Sequence, residues 1–159
     1  MSYRLSVDVI GSKELEAAFR KAPQVTMAAL SKGIGKTAYR IEARAKQLAP
    51  IDKANLRGSI NIDGPHATLN NVEAKVGTNI EYAPHQEYGT GVYGKTGQPI
   101  RPKNARILAW KSGGKWHFAR QVRGVKPKRF FGQSRQEARP YMTEQMRGAL
   151  TEIVTHLAR

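Results

Sequence analysis

One stretch of eight residues has the spacing of a phosphate-binding loop. Gly89-Thr90-Gly91-Val92-Tyr93-Gly94-Lys95-Thr96 fits G-x-x-x-x-G-K-[ST]. In that pattern backbone amides cradle phosphates, the lysine reaches the outer phosphates and the hydroxyl holds magnesium. The loop works only between a buried parallel strand and the N-terminus of a helix. Here Glu81 to Tyr88 precede it, and they are no apolar core strand. Gly97-Gln98-Pro99-Ile100-Arg101-Pro102 follow it and cannot open a long helix. No later apolar strand ends in an aspartate. Nucleotide hydrolysis is set aside, and Lys95 is read as the tip of a solvated arm.

The remaining polar residues offer little chemistry. Glu81 and Glu87 are close enough in sequence to pass for paired carboxylates, yet no nucleophile, base and orienting group surround them. His66, His85, His117 and His156 have no metal-ligand spacing. Asp8 falls on the polar face of a strand, Asp52 caps a turn of helix and Asp63 precedes a turn. There is no cysteine, which removes disulfides, thiolate catalysis and cysteine zinc sites and suits a reducing cytoplasm. The reading is a protein without catalytic residues, metal, cofactor or small-molecule substrate. No apolar signal core or membrane-spanning run is seen.

Charge is the stronger signal. The 159 residues carry a net +15, which calls for an anionic partner: nucleic acid, an acidic protein surface or, less fittingly, a membrane. Thirteen lysines and arginines lie between Arg101 and Arg147, against Glu137 and Glu144 alone. Lys126-Pro127-Lys128-Arg129-Phe130-Phe131-Gly132 interleaves cations and aromatics, with Trp110, Trp116 and Phe118 upstream. Such a mixture suits base stacking and phosphate contact. The preferred reading of the aromatics is plainer: Trp110, Phe118 and Phe130 or Phe131 are core, with the cations on the opposite strand face.

The elements that must position these residues follow from periodicity. Tyr3, Leu5, Val7 and Val9 alternate as a half-buried strand. Ser12 caps a short helix reaching about Lys21. Met27, Leu30, Ile34, Ala38, Ile41, Ala45 and Leu48 form one apolar stripe of a long helix that Pro50 ends. Gly33 and Gly35 weaken it or permit close packing on a sheet. Ser59–Ile62 and Val72–Val76 read as paired strands, with Gly64-Pro65 and Asn70-Asn71 in the turn between them. Gly89 to Asn104, with Gly91, Gly94, Gly97, Pro99 and Pro102, is an extended arm, flexible over about 89–105. Ile107–Trp110 and Trp116–Val122 form a hairpin across Ser112-Gly113-Gly114. A last helix spans Gln136 to Leu157, with Ala138, Met142, Met146, Ala149, Leu150, Ile153 and Leu157 on one face. The class is α+β in one domain, 1–159: a small antiparallel sheet packed against a long helix of the N-terminal half, plus a C-terminal helix and the arm.

Read in order, several phrases resemble the tail-completion, or head–tail joining, proteins of long-tailed bacteriophages. Val9-Ile10-Gly11-Ser12-Lys13-Glu14-Leu15 is similar to their strand and Gly-x-x-Glu-Leu helix start. Ala49-Pro50-Ile51-Asp52-Lys53-Ala54-Asn55-Leu56-Arg57-Gly58-Ser59-Ile60 resembles their Ala-Pro-Val-Asp-Thr-Gly-x-Leu-Arg-x-Ser-Ile, with Lys53 and Ala54 where Thr-Gly is usual. Val76-Gly77-Thr78 and Tyr82-Ala83-Pro84-His85-Gln86-Glu87-Tyr88-Gly89-Thr90 resemble the strand and turn that follow. The hairpin from Ile107 to Val122 and Arg139-Pro140-Tyr141-Met142 are similar to the later parts of longer members. Pro50, Asp52, Leu56, Tyr82, Glu87, Gly89 and Thr90 are the motif residues, read as structural.

The resemblance implies a virion structural subunit, assembled in the host cytoplasm. It implies a homo-oligomeric ring, six-fold, at the neck or the head-proximal tail end, with tail-tube and head-connector proteins as partners. Tyr93, Lys95, Arg101 and Lys103 of the arm, with Lys126, Lys128 and Arg129, are the expected interface, with non-specific DNA contact in reach. The rival reading is a basic nucleic-acid-binding protein that acts as a free monomer.

Overall fold

The computed structural model describes residues 20, 23–51, 54–68 and 71–157. The expected first strand, the Asp52 cap and all of the first short helix but Arg20 lie outside these residues. The chain forms two compact units, Met1–Ile80 with Phe130–Arg159, and Glu81–Arg129.

The first unit is organised by α1, Pro23–Leu48. Proline suits the first position of a helix, where its missing N–H would have no partner. The expected stripe is the buried one: Leu30, Ile34, Ala38, Ile41 and Ala45 are each at most 4% exposed. After Pro50 comes α2, Ala54–Ser59, which buries Leu56. Then β1, Asn61–Ala67, pairs antiparallel with β2, Val72–Gly77. In β2, Val72, Ala74 and Val76 are buried and alternate with half-buried residues, the period-2 pattern of a strand with one face on the core.

Gly64-Pro65 does not form the turn. It lies within β1, where the register shifts between Asp63, opposite Lys75, and His66, opposite Glu73. Proline has no N–H for a ladder and is accommodated at such irregularities. A Cβ on Gly64 would lie 2.9 Å from the Glu73 carbonyl oxygen, so a side chain there would meet the partner strand.

After a short α3, Ala83–Tyr88, in the second unit, the last helix, α4, spans Phe130–Leu157 and is the long counterpart of α1. It starts six residues before the expected Gln136. Phe130 and Phe131 are both buried, and their rings meet at 4.7 Å between centroids. Ser134, also buried, donates to the Phe130 carbonyl. Burial of this first turn overrides Gly132 and the internal Pro140. α4 runs antiparallel to α1. The Arg44 guanidinium sits on the Glu137 carboxylate at 2.6 Å, Arg40 lies over the Tyr141 ring at 4.5 Å, and Lys32 approaches Glu152 at 3.7 Å. The hydrogen bonds from Arg44 and Gln133 hold the Glu137 carboxyl below its ordinary range.

The two helix glycines serve different neighbours. A Cβ on Gly33 would lie 2.6 Å from the Met146 terminal methyl of α4, and one on Gly35 would lie 3.6 Å from the Pro65 ring of β1. Only Gly35 therefore faces the sheet. The α+β class expected from the sequence is the one observed.

Candidate partner-binding surface

The second unit begins at α3, Ala83–Tyr88, which opens on Ala83-Pro84 and buries Ala83 and Glu87 one turn apart. Its last carbonyls receive N–H donors from far along the chain: Lys128 donates to Gln86 at 2.7 Å and Arg129 to Glu87 at 3.2 Å. Beyond it, Thr90 donates to Val125, Val92 donates to Arg123, and the Thr90 hydroxyl accepts from the Val125 amide at 3.0 Å. Residues 86–92 are thus zipped to 123–129.

Two glycines permit that approach. A Cβ on Gly91 would lie 2.3 Å from the Arg123 carbonyl oxygen, and one on Gly124 would lie 2.2 Å from that of Thr90. Both have positive φ, +61° and +91°. Gly89, where the arm departs, has φ +76°. Farther out, Ile100 and Val122 exchange both backbone hydrogen bonds, at 2.8 and 3.0 Å. Between these anchors stands the short 3₁₀ turn Gly91–Tyr93.

The phosphate-loop match fails on this geometry. Gly89–Thr96 is preceded by α3 and contains a 3₁₀ turn, and Lys95 and Thr96 lead into irregular chain. The required strand and helix do not flank it. Among the described residues no group of three or more histidine, aspartate and glutamate side chains is placed to hold a metal.

The hairpin pairs β3, Leu108–Ser112, with β4, Lys115–Ala119. Gly113 and Gly114 join them with φ of +58° and +79°, the sign pattern of a type I′ turn whose twist matches the strands. Leu108 and Ala119 are half-buried, and every other residue of the two strands is exposed. The expected core placement of Trp110 and Phe118 is therefore corrected: Trp110 is 40% exposed, Phe118 63% and Trp116 64%. A two-stranded ribbon has one neighbour per strand, and among the described residues nothing covers these side chains. Phe130 and Phe131, by contrast, are core as expected.

The cations share this exposure. Lys95, Arg101, Lys103, Arg106, Lys111, Lys115, Arg120, Arg123, Lys126, Lys128 and Arg129 are all exposed. Glu81 and Glu87 are the unit's acids, and Glu87 is buried. None of the eleven cations forms an ion pair among the described residues. Of the expected interface set, Lys126 meets Tyr93 at 5.6 Å from the ring centroid, and Arg123, which the sequence reading did not single out, lies at the same distance from that ring. Arg101 donates to the Gln121 side chain at 3.2 Å. Lys95, Lys103 and Lys128 are exposed, and Arg129 takes φ +50° as its backbone N–H donates to the Glu87 carbonyl.

In the first unit the remaining motif residues meet. The Ser59 hydroxyl donates to the Leu56 carbonyl at 2.8 Å and accepts from Thr78 at 2.6 Å. Thr78 in turn accepts the Ile80 amide at 3.2 Å. Because each hydroxyl has one proton, this order uses every donor once. Pro50 is half-buried beside the end of α1. The two phrases that carried the resemblance are thus hydrogen-bonded to each other.

Residues 13–89 match the family described as "Bacteriophage HK97-gp10, putative tail-component". No curated protein and no solved structure matches the chain. Over those residues, just under half of the chain, the sequence is similar to the HK97-gp10-like phage tail components. The match takes in Pro50, Leu56, Ser59, Thr78, Tyr82, Glu87 and Gly89, and the exposed hairpin lies beyond it. No helix among the described residues is long and apolar enough to cross a membrane.

Proposed function

We propose that this phage tail component completes the tail or joins it to the head, as one subunit of a closed ring, six-fold by the resemblance, at the neck or head-proximal tail end. The match over residues 13–89 carries the reading. The work is assembly and sealing, done in the host cytoplasm and kept in the virion, with tail-tube and head-connector proteins as neighbours. A small subunit closes a ring through head-to-tail contacts, each using two different faces. Tyr93, Lys95, Arg101, Lys103, Lys126, Lys128 and Arg129 supply one such face, and its uncompensated charge favours an acidic opposite surface.

The test is charge reversal at three exposed positions, Lys95→Glu, Lys103→Glu and Lys128→Glu together. The far-UV spectrum and thermal midpoint should hold, since exposed substitutions change stability by about 0.5 kcal/mol or less each. The molar mass by light scattering should fall from a closed multiple of the 17.6 kDa subunit to the monomer. A variant that assembles at the same concentration as the parent would contradict this face.

A further inference from the structure

We propose that the β3–β4 ribbon is a nucleic-acid contact that takes an unpaired base against Trp116 and Phe118 and holds a neighbouring phosphate with Lys111. Trp116 and Phe118 are two apart on β4, so they project from the same face. Their rings are nearly parallel, 19° apart, with centroids at 6.3 Å. Two neighbouring rings of one orientation offer a base an exposed stacking surface, and base–aromatic stacking tolerates any base.

Lys111 stands opposite Trp116 in the register, on the same face, whereas Lys115, one residue before Trp116, belongs to the His117 face. On the other face Trp110 and His117 already stack on each other at 5.4 Å, which leaves the Trp116–Phe118 face as the open one.

Charge chooses the occupant. From Tyr88 to Gln136 the sequence has no aspartate or glutamate. The acid-free stretch 88–136 of a second copy, laid against the ribbon, would bring only more positive charge. An acidic protein would satisfy the lysines but gives no use to two parallel rings. A single strand of nucleic acid meets both features, with phosphates for the cations and bases for the rings. The ribbon shares no residue with the face assigned to ring closure, so either assignment can fail alone.

The experiment is fluorescence anisotropy of a labelled oligothymidylate, and of a duplex of equal length, titrated with the full chain from 50 to 200 mM salt. The single strand should bind more tightly than the duplex. Trp116→Ala should weaken that binding about five- to 100-fold, the range for one lost stacked base. Trp116→Phe should restore most of it, and Trp116 is exposed enough that neither change threatens folding. Lys111→Ala should flatten the log–log salt slope by about 0.7, and Lys115→Ala, on the other face, should change it less. Equal affinity for duplex and single strand, unchanged by Trp116→Ala, would overturn the stacking assignment. So would equal binding of polyglutamate, or a Trp116→Ala variant altered in molar mass but not in oligonucleotide binding.

Discussion

Ser59 and Thr78 stand nineteen positions apart, and their hydroxyls meet at 2.6 Å. Thr78 is 5% exposed, so replacing its hydroxyl by a methyl strands the Ile80 amide and one lone pair of Ser59. Thr78→Val should therefore cost about 1–3 kcal/mol in urea unfolding, and Thr78→Ser clearly less. A valine variant with the parent's stability would show that the bond carries nothing. Gly91 makes a different demand. Gly91→Ala places a methyl against the Arg123 carbonyl at positive φ, a strain of order 1–3 kcal/mol before the clash is counted. Amide exchange at Thr90 and Val92 should accelerate, while that of the α1 core around Ile41 stays slow. Uniform acceleration would contradict a local role. The sequence displays Ser59, Thr78 and Gly91 as motif letters. It does not display their partners, because hydrogen bonds across such separations follow from the tertiary path.

Elements were legible where one periodicity dominates. α1 follows its apolar stripe from Leu30 to Ala45, and the hairpin turn at Gly113-Gly114 is visible as two residues suited to positive φ. Legibility failed where packing overrides local preference. Gly132 hides the true start of α4 at Phe130, and the bulge absorbs Gly64-Pro65 within β1. Alternation in β4 says which residues share a face but not whether anything covers that face, so Phe118 and Trp110 were assigned to a core they do not join. Two predictions belong at this scale. Phe130 is fully buried at the first turn of α4, and Phe130→Ala should cost about 3–5 kcal/mol in denaturant unfolding. A loss below 1 kcal/mol would mean that this turn is not anchored in the core. The Arg44–Glu137 pair fastens α1 to α4 and depresses the Glu137 pKa. A carboxyl with a lowered folded pKa contributes stability above its unfolded value and loses it as pH falls through the folded one. Glu137→Gln should therefore reduce the loss of stability seen on acidification below the ordinary carboxylate range. An unchanged acid limb would show the pair to be neutral for stability.

At the scale of the molecule, charge and family match fall on different stretches. The matched residues end at Gly89, and the longest acid-free run, Tyr88 to Gln136, begins there. The family is readable from short phrases because those phrases build local turns and bonds. A partner is not readable in the same way, because a cation in sequence does not say what faces it. Exposure of all eleven cations in the second unit narrows the choice to an anionic surface or nucleic acid. Contacts of that kind weaken with salt, since the screening length shrinks from about 10 Å at 0.1 M to about 3 Å at 1 M. Assembly with acidic tail or connector proteins should accordingly fail between these limits, by sedimentation of the mixed proteins. A complex indifferent to salt would point to apolar contacts instead.

The most direct measurement is cryo-electron microscopy of purified particles from the phage that encodes this chain, with mass spectrometry of the same preparation. The account predicts the chain as a fixed-copy component, with a ring of its density between the tail tube and the head connector. Particles that are complete and infectious without the chain would contradict it.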